Sequence, residues 1–182
     1  PRLPAPFFRA ILQAIASRAG VSLDGAWVKL ASHEVRLAPQ DEATWRRIMP
    51  LICDAERFRP PRVRDIAGVL SVPEPEIRRL MKLNARMGRL DEVAHDHFFL
   101  RATVAEMVDI AADLAGDAPD GHFTAAHFRD RLDNGRKVAI QILEFFDRHG
   151  VTLRRGDLRR INRHRIDLFG RAPEAKEARA AS

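Results

Sequence analysis

Apolar positions recur mostly at helical spacing, in stretches of 10 to 15 residues broken by proline and glycine. From residue 41, Trp45, Ile48, Met49 and Ile52 fall on one face and predict a helix over 41–55. A short helix over 62–70 follows, then one over 74–87 that turns Ile77, Leu80, Met81 and Asn84 inward. Residues 90–93 and 97–101 read as a β-hairpin. The same order then repeats. Thr103 and Glu106 have capping-box spacing and predict a helix running to about Leu114, with further helices over 124–132 and 136–149. A second hairpin, 151–155 and 158–162, turns at Gly156-Asp157, a pair suited to a tight turn. Upstream, residues 7–19 read as a helix, with strands 21–23 and 26–30 around Asp24-Gly25.

Three helix ends share one pattern: Gly20, Gly88 and Gly150 each follow an arginine by two residues (Arg18, Arg86, Arg148) and precede an extended apolar segment. Glycine there supplies the left-handed conformation that closes a helix. The glycines lie 68 and 62 residues apart, the spacing of a small domain rather than of a solenoid repeat. Three helices followed by a hairpin is the order of a winged helix. The expected fold is therefore mainly α with small β-hairpins, as tandem winged-helix domains. These are the end of a truncated copy (1–40), a complete copy (41–101), a last copy (102–170) and a tail without an apolar face (171–182).

Composition narrows the class. Of 182 residues, 46% are hydrophobic and 31% charged, the balance of a soluble globular protein. No apolar run approaches a membrane span, so no membrane partner is expected. A lone cysteine, Cys53, on an apolar helix, excludes an intramolecular disulfide framework and fits the cytoplasm. The chain begins at Pro1 without a methionine, as expected of a fragment. Its net charge of +6 is localised: residues 148–165 carry seven arginines against Asp157 alone, while the other 164 residues hold 24 charges of each sign. A neutral body with one basic end points to a polyanion site.

Within that end, Lys137, Gln141, Glu144 and Arg148 form a polar stripe on the third helix, opposite Val138, Ala139, Ile142, Phe145 and Phe146. Arg136 and Lys137 sit at its start, where unpaired backbone N–H groups favour phosphate. Arg154, Arg155, Arg159 and Arg160 surround Gly156 and Asp157 on the hairpin, a crowding that packing does not explain and a polyanion does. In the middle copy Arg79, Lys82 and Arg86 form a weaker stripe, offset by Glu74, Glu76, Asp91 and Glu92; secondary RNA contact is the minor expectation there. His95, His97, His122 and His127 lack partners at metal-ligand spacing, no nucleotide-binding glycine motif is present, and no acid–base pair stands out. No catalytic residue, metal or cofactor is expected, and an enzyme is not.

The Gly135-Arg136-Lys137 opening, the Glu144-x-Phe146-Asp147-Arg148-x-Gly150 helix end and the Arg154-Arg155-Gly156-Asp157 wing together resemble the last winged helix of the SelB family, the bacterial selenocysteine-specific elongation factors. Residues 25–33 resemble the wing of an earlier winged helix of the same family, and the likeness covers about residues 3–170. The resemblance implies a role in protein biosynthesis. In the family a GTPase body related to elongation factor Tu carries selenocysteinyl-tRNA, and the last of four winged helices grips an mRNA hairpin beside an in-frame UGA codon. It implies an mRNA stem-loop and the ribosome as partners, with GTP and tRNA bound through a part this sequence lacks, and a monomer. RNA contact is implied for Arg136, Lys137, Arg154, Arg155, Gly156, Asp157, Arg159 and Arg160. The sequence has no tyrosine, so stacking on bases falls to arginine planes or His149. From fold and charge alone a tandem winged-helix DNA-binding transcription regulator stands near parity with an RNA binder, although the near-neutral middle copy weighs against paired major-groove readers.

Overall fold

The computed structural model describes Ala14, residues 21–24 and 27–30, and residues 36–170 except 54. The chain divides into two compact units, Pro1–Ala38 and Pro39–Ser182. In the first, β1 (Val21–Asp24) and β2 (Trp27–Leu30) pair antiparallel, with Val21 opposite Leu30 and Asp24 opposite Trp27. Ala14 is helical; the rest of the helix expected over 7–19 and the tail 171–182 lie outside the described residues.

The second unit contains the three-helix-and-hairpin order twice. Helices α1 (Pro39–Cys53), α2 (Val63–Leu70) and α3 (Glu74–Arg86) lead into strands β3 (Leu90–Ala94) and β4 (His97–Leu100). Helix α4 (Arg101–Asp117), the two-residue strand β5 (Phe123–Thr124), helices α5 (Ala125–Arg131) and α6 (Arg136–His149), and strands β6 (Thr152–Arg155) and β7 (Leu158–Ile161) form the last copy. Among the described residues no helix is long and apolar enough to cross a membrane.

The two glycine-closed helix ends are built alike. Gly88 and Gly150 have φ of 75° and 69°. Each donates its N–H three residues back, to Ala85 and Asp147, and the following residue donates five back, Arg89 to Asn84 and Val151 to Phe146. The reversal aims β3 and β6 away from α3 and α6 in the same manner, so the repeat seen in the sequence is a repeat of backbone geometry.

Two expectations change. Thr103 does not cap a helix. Strand β4 passes directly into α4, with Leu100 at the N-cap and the Arg101 N–H donating to the Arg89 carbonyl, so Thr103 lies buried in the first turn. Glu106, its expected capping partner, instead accepts two hydrogen bonds from Arg57, at 2.8 and 2.9 Å. Strand β5 was not foreseen, because two residues are too few for an alternation to show. It converts the last hairpin into a three-stranded sheet in the order β5-β7-β6, with β7 central.

The core of the last copy extends into the middle copy. Val93 and Phe99 of the first hairpin pack in one cluster with Val104, Met107, Phe128, Ile142, Phe145 and Phe146, with Phe58 against its edge. A fully buried aromatic or aliphatic side chain contributes about 1.5–3 kcal/mol, so this continuity ties the copies together. Polar contacts add direction: Asn134 Nδ2 donates to the Phe58 carbonyl at 2.6 Å and Arg148 Nη2 to the Val93 carbonyl at 3.2 Å. Arg101 pairs with the buried Asp91 at 2.7 Å.

His97 is buried in the middle copy with Nε2 2.9 Å from the Pro60 carbonyl, which it serves as donor, fixing the loop before α2. Burial lowers its pKa despite that bond. The stability it supplies is therefore present above the ordinary histidine value and lost as pH falls from there through the lowered folded value. Urea denaturation between pH 7.5 and 6 should show declining stability in the wild type and a flatter profile in His97→Gln; parallel profiles would contradict this assignment.

Candidate nucleic-acid interface

The end of α6 and the wing meet at Asp147. Its carboxylate accepts from Thr152 Oγ1 at 2.5 Å and from Arg159 Nε and Nη2 at 3.1 and 3.0 Å. Arg159 lies on the central strand, opposite Phe123 on one side and Arg154 on the other, and its side chain is only 4% exposed. The sequence suggests four free arginines on this hairpin, but Arg159 is not one of them: its guanidinium is committed to Asp147. Side chains alternate along a strand, so the anchor sets both faces of the wing. Arg154 shares the inner face with Arg159, while Leu153, Arg155, Leu158 and Arg160 share the outer face, all four exposed.

Arg154 donates from Nε to the Gly156 carbonyl at 2.9 Å, which folds it back over the turn and leaves its terminal nitrogens available. Gly156 adopts φ of 61°, a conformation costly for side-chain-bearing residues, and so permits the tight reversal beside Asp157. Arg155 and Arg160 extend into solvent, with Leu153 and Leu158 each 41% exposed between them. Together these give the outer face alternating cations and apolar patches.

Helix α6 begins at Gly135, whose N–H donates to the Asn134 side chain at 2.7 Å. Asn134, held in turn by the Phe58 carbonyl, fixes the helix start against the middle copy. Arg136 and Lys137 are exposed at that start. The rest of the stripe expected on this helix splits in two. Gln141 accepts from Arg62 at 3.1 Å, and Arg148 reaches Val93 and lies over the Phe145 ring at 5.9 Å, so that edge of α6 rests on the middle copy. The edge one step round faces the wing. There Arg136, Ile140 and Glu144 of α6, Arg129 of α5, and Arg154 and Asp157 of the wing line an open cleft of about 490 Å³. Glu144 belongs to the polar stripe expected on this helix, whereas Arg129 and Ile140 join the site only through the fold. The signal for Ile140 was its i, i+4 spacing from Arg136, hidden because the orientation of α6 depends on what covers its other edge; Arg129 lies on α5 and carries no such signal.

The middle copy uses its cations differently. Arg79, placed by its spacing on a candidate RNA-facing stripe, binds Asp41 through two hydrogen bonds of 2.5 and 3.2 Å. Lys82 and Arg86 are exposed. Arg78 bonds Glu74 and both Asp96 oxygens, and this guanidinium holds the Asp96 carboxyl below the usual carboxylate range. The side-chain ligand atoms of Glu92, His95 and Asp96 lie within 4.8 Å of one another at the tip of this hairpin. The Glu92 carboxylate accepts the Asp96 N–H at 3.1 Å and stabilises a turn in which Asp96 has φ of 55°.

A helix beside a hairpin wing, repeated once and with its unpaired cations gathered mainly on the last copy, defines a tandem winged-helix protein. The winged-helix model of elongation factor SelB matches residues 117–161, and the selenocysteine-specific elongation factor of Escherichia coli (strain K12) is 36% identical over 131 residues, 72% of this chain and 20% of that protein. The solved mRNA-binding domain of elongation factor SelB from E. coli, in complex with SECIS RNA, superposes with a TM-score of 0.62 at 33% identity, covering 69% of this chain and 99% of that one. The chain belongs to the SelB family, within its winged-helix region. The Haemophilus influenzae selenocysteine-specific elongation factor is 28% identical over 72% of this chain and 21% of its own length. A bacterial selenocysteine-specific elongation factor crystal structure shares the fold at a TM-score of 0.54, over 84% of this chain and 23% of that one. The chain thus spans about a fifth of the length of the curated relatives it matches.

The Asp147–Arg159 pair should be structural. Asp147→Asn leaves a buried guanidinium without its counter-charge and is expected to cost about 2 kcal/mol or more in urea denaturation. Arg160→Ala, one residue along and exposed, should cost less than about 0.5 kcal/mol. Equal losses from the two would remove the distinction between anchoring and free arginines.

Proposed function

We propose that this chain is an mRNA-binding region of a selenocysteine-specific elongation factor. Its last winged helix holds a stem-loop beside a UGA codon and so tethers the GTPase and tRNA-carrying part to the ribosome. The observation that carries the reading is the cleft between α6 and the wing. Arg136 and Arg154 line it, Arg154 keeping its terminal nitrogens for a ligand, while Lys137 beside Arg136 and Arg155 and Arg160 on the outer face of the wing stand exposed with no acidic partner among the described residues. The relative solved with SECIS RNA is the E. coli mRNA-binding domain, at 33% identity over nearly its whole length.

The geometry suits a hairpin. The A-form major groove is too narrow for side chains, so sequence is read from loops, bulges and splayed bases, while phosphates fix the register. Cations at a helix start and on a wing can grip phosphates on two sides of a loop, and Gly156, Asp157 and the exposed leucines bring the turn close to bases. The role proposed for this chain is binding, with no catalytic step of its own; GTP hydrolysis and tRNA carriage belong to the remainder of such a factor. Action beside the ribosome places it in the cytoplasm, and a single copy suffices for one hairpin. Lys82 and Arg86 are the residues of the middle copy available for a secondary RNA contact.

Fluorescence anisotropy with a bulged stem-loop from a selenoprotein message, a scrambled hairpin and a same-length DNA duplex tests this reading. The stem-loop should bind most tightly, with a log–log salt slope of about −4 if five cations engage phosphate. Lys137→Ala should weaken binding to both hairpins alike and reduce the slope by about one. Arg155→Ala or Arg160→Ala should cost about 1–3 kcal/mol and erase discrimination between the hairpins. Equal binding to all three nucleic acids would overturn the mRNA reading in favour of a general basic module or a DNA binder.

A further inference from the structure

The cleft between α6 and the wing contains groups that a phosphate site does not need. Glu144 opens onto it with Arg136 and Arg154 in the lining and with Arg129, which is already paired with Asp130 at 2.6 Å, yet its carboxylate makes no ion pair or hydrogen bond among the described residues. Asp157, at the wing tip, faces the same cleft and is likewise unpaired. This chain readily closes arginine–carboxylate pairs elsewhere, at Arg57–Glu106, Arg79–Asp41 and Arg159–Asp147. A fixed negative charge here lowers affinity for any backbone that enters, so its place in a cationic cleft calls for a ligand group that donates. Ile140, one turn before Glu144, is half-buried in the same wall, and Ala125 also lines the cleft. Apolar walls suit the face of a base and do nothing for a phosphate.

We infer that Glu144 is a specificity-determining residue of this interface: it accepts hydrogen bonds from the amino-bearing edge of a nucleobase splayed into the cleft, and it repels phosphate from the same place. The inference rests on the RNA-binding reading and deepens it. An ionised carboxylate only accepts. Guanine offers it two adjacent donors, the N1 imino and N2 amino groups; cytosine and adenine offer one amino group each. Uracil presents its single imino donor between two carbonyl oxygens, which the carboxylate repels. The order at the unpaired position in the cleft is therefore guanine first, cytosine and adenine next, uracil last. The chain has no tyrosine, and none of the lining residues is aromatic. The base is therefore held by Ile140 and the arginine planes, and its edge contact to Glu144 carries the discrimination.

The test uses the 182-residue chain and a pool of RNA stem-loops with a common stem and a randomised loop, followed by single-base replacements in the selected loop. The wild type should fix guanine at one unpaired position and bind the uracil replacement there about ten-fold or more weakly. Glu144→Gln and Glu144→Ala should reduce that ratio to about three-fold or less, and both should bind poly(U) about two- to three-fold more tightly because the repulsion is gone. Unchanged thermal melting, as expected at an exposed position, separates the effect from misfolding. Discrimination that survives both substitutions, or a selected loop with no position that disfavours uracil, would overturn the assignment of Glu144 while leaving hairpin binding intact. A wild-type chain that binds no hairpin better than a same-length DNA duplex would instead remove the RNA reading itself, and the inference with it.

Discussion

Asp147 holds the wing to the recognition helix. A two-stranded hairpin is marginally stable by itself, and here its two strands are fastened at different points to one carboxylate, Thr152 on β6 and Arg159 on β7. Since residues two apart on a strand share a face, this single anchor turns Arg154 toward the cleft and Arg155 and Arg160 away from it. The same carboxylate sits in the last turn of α6, immediately before the glycine reversal at Gly150. Helix end, reversal and wing are therefore one mechanical unit. The direction in which the cations point follows from this anchored pair.

The other face of α6 is fixed by the preceding copy. Gln141 and Arg148 are held by Arg62 and Val93, Asn134 by Phe58, and the apolar cluster of the last copy takes in Val93 and Phe99 of the preceding one. That leaves one edge of the helix, through Arg136, Ile140 and Glu144, to border the cleft. The two copies thus share an architecture and differ in how their charge is used. In the middle copy Arg78 and Arg79 are neutralised by Asp96, Glu74 and Asp41, which tie helices and hairpin together. In the last copy Arg136, Arg154, Arg155 and Arg160 form no ion pair among the described residues, although Glu144 and Asp157 line the same cleft as Arg136 and Arg154. The first arrangement stabilises a scaffold; the second lowers the stability of the isolated protein slightly through like-charge repulsion and leaves charge for a polyanion to neutralise.

Much of this was legible in the residues, and the misreadings have physical causes. The bounds of α6 follow from an apolar face bracketed by Gly135 and Gly150, and the glycine reversals follow from a requirement for positive φ that few other residues meet. Thr103 and Glu106 carry capping-box spacing, but the box loses to a strand that runs straight into the helix and to Arg57, which claims Glu106. Gln141 and Arg148 belong to the polar stripe by periodicity; periodicity does not say that another domain covers one side of it. Arg159 was misread because its burial depends on β5, a strand of two residues with no alternation of its own.

Arg159 marks the limit of charge counting. A guanidinium offers the same planar fork to a carboxylate as to a phosphate, so composition assigns Arg154, Arg155, Arg159 and Arg160 equally to a ligand. Strand position separates them. The residue on the central strand that faces the helix is desolvated and needs a permanent counter-charge, which Asp147 provides; its neighbours on the opposite face stay hydrated and need none. Glu144 poses the complementary case, an acid with arginines beside it in the cleft lining and no pair formed. In a region where the buried charge is matched, the carboxylate and the arginines left unmatched among the described residues are informative for the same reason: on the proposed function both lie where the RNA would complete them.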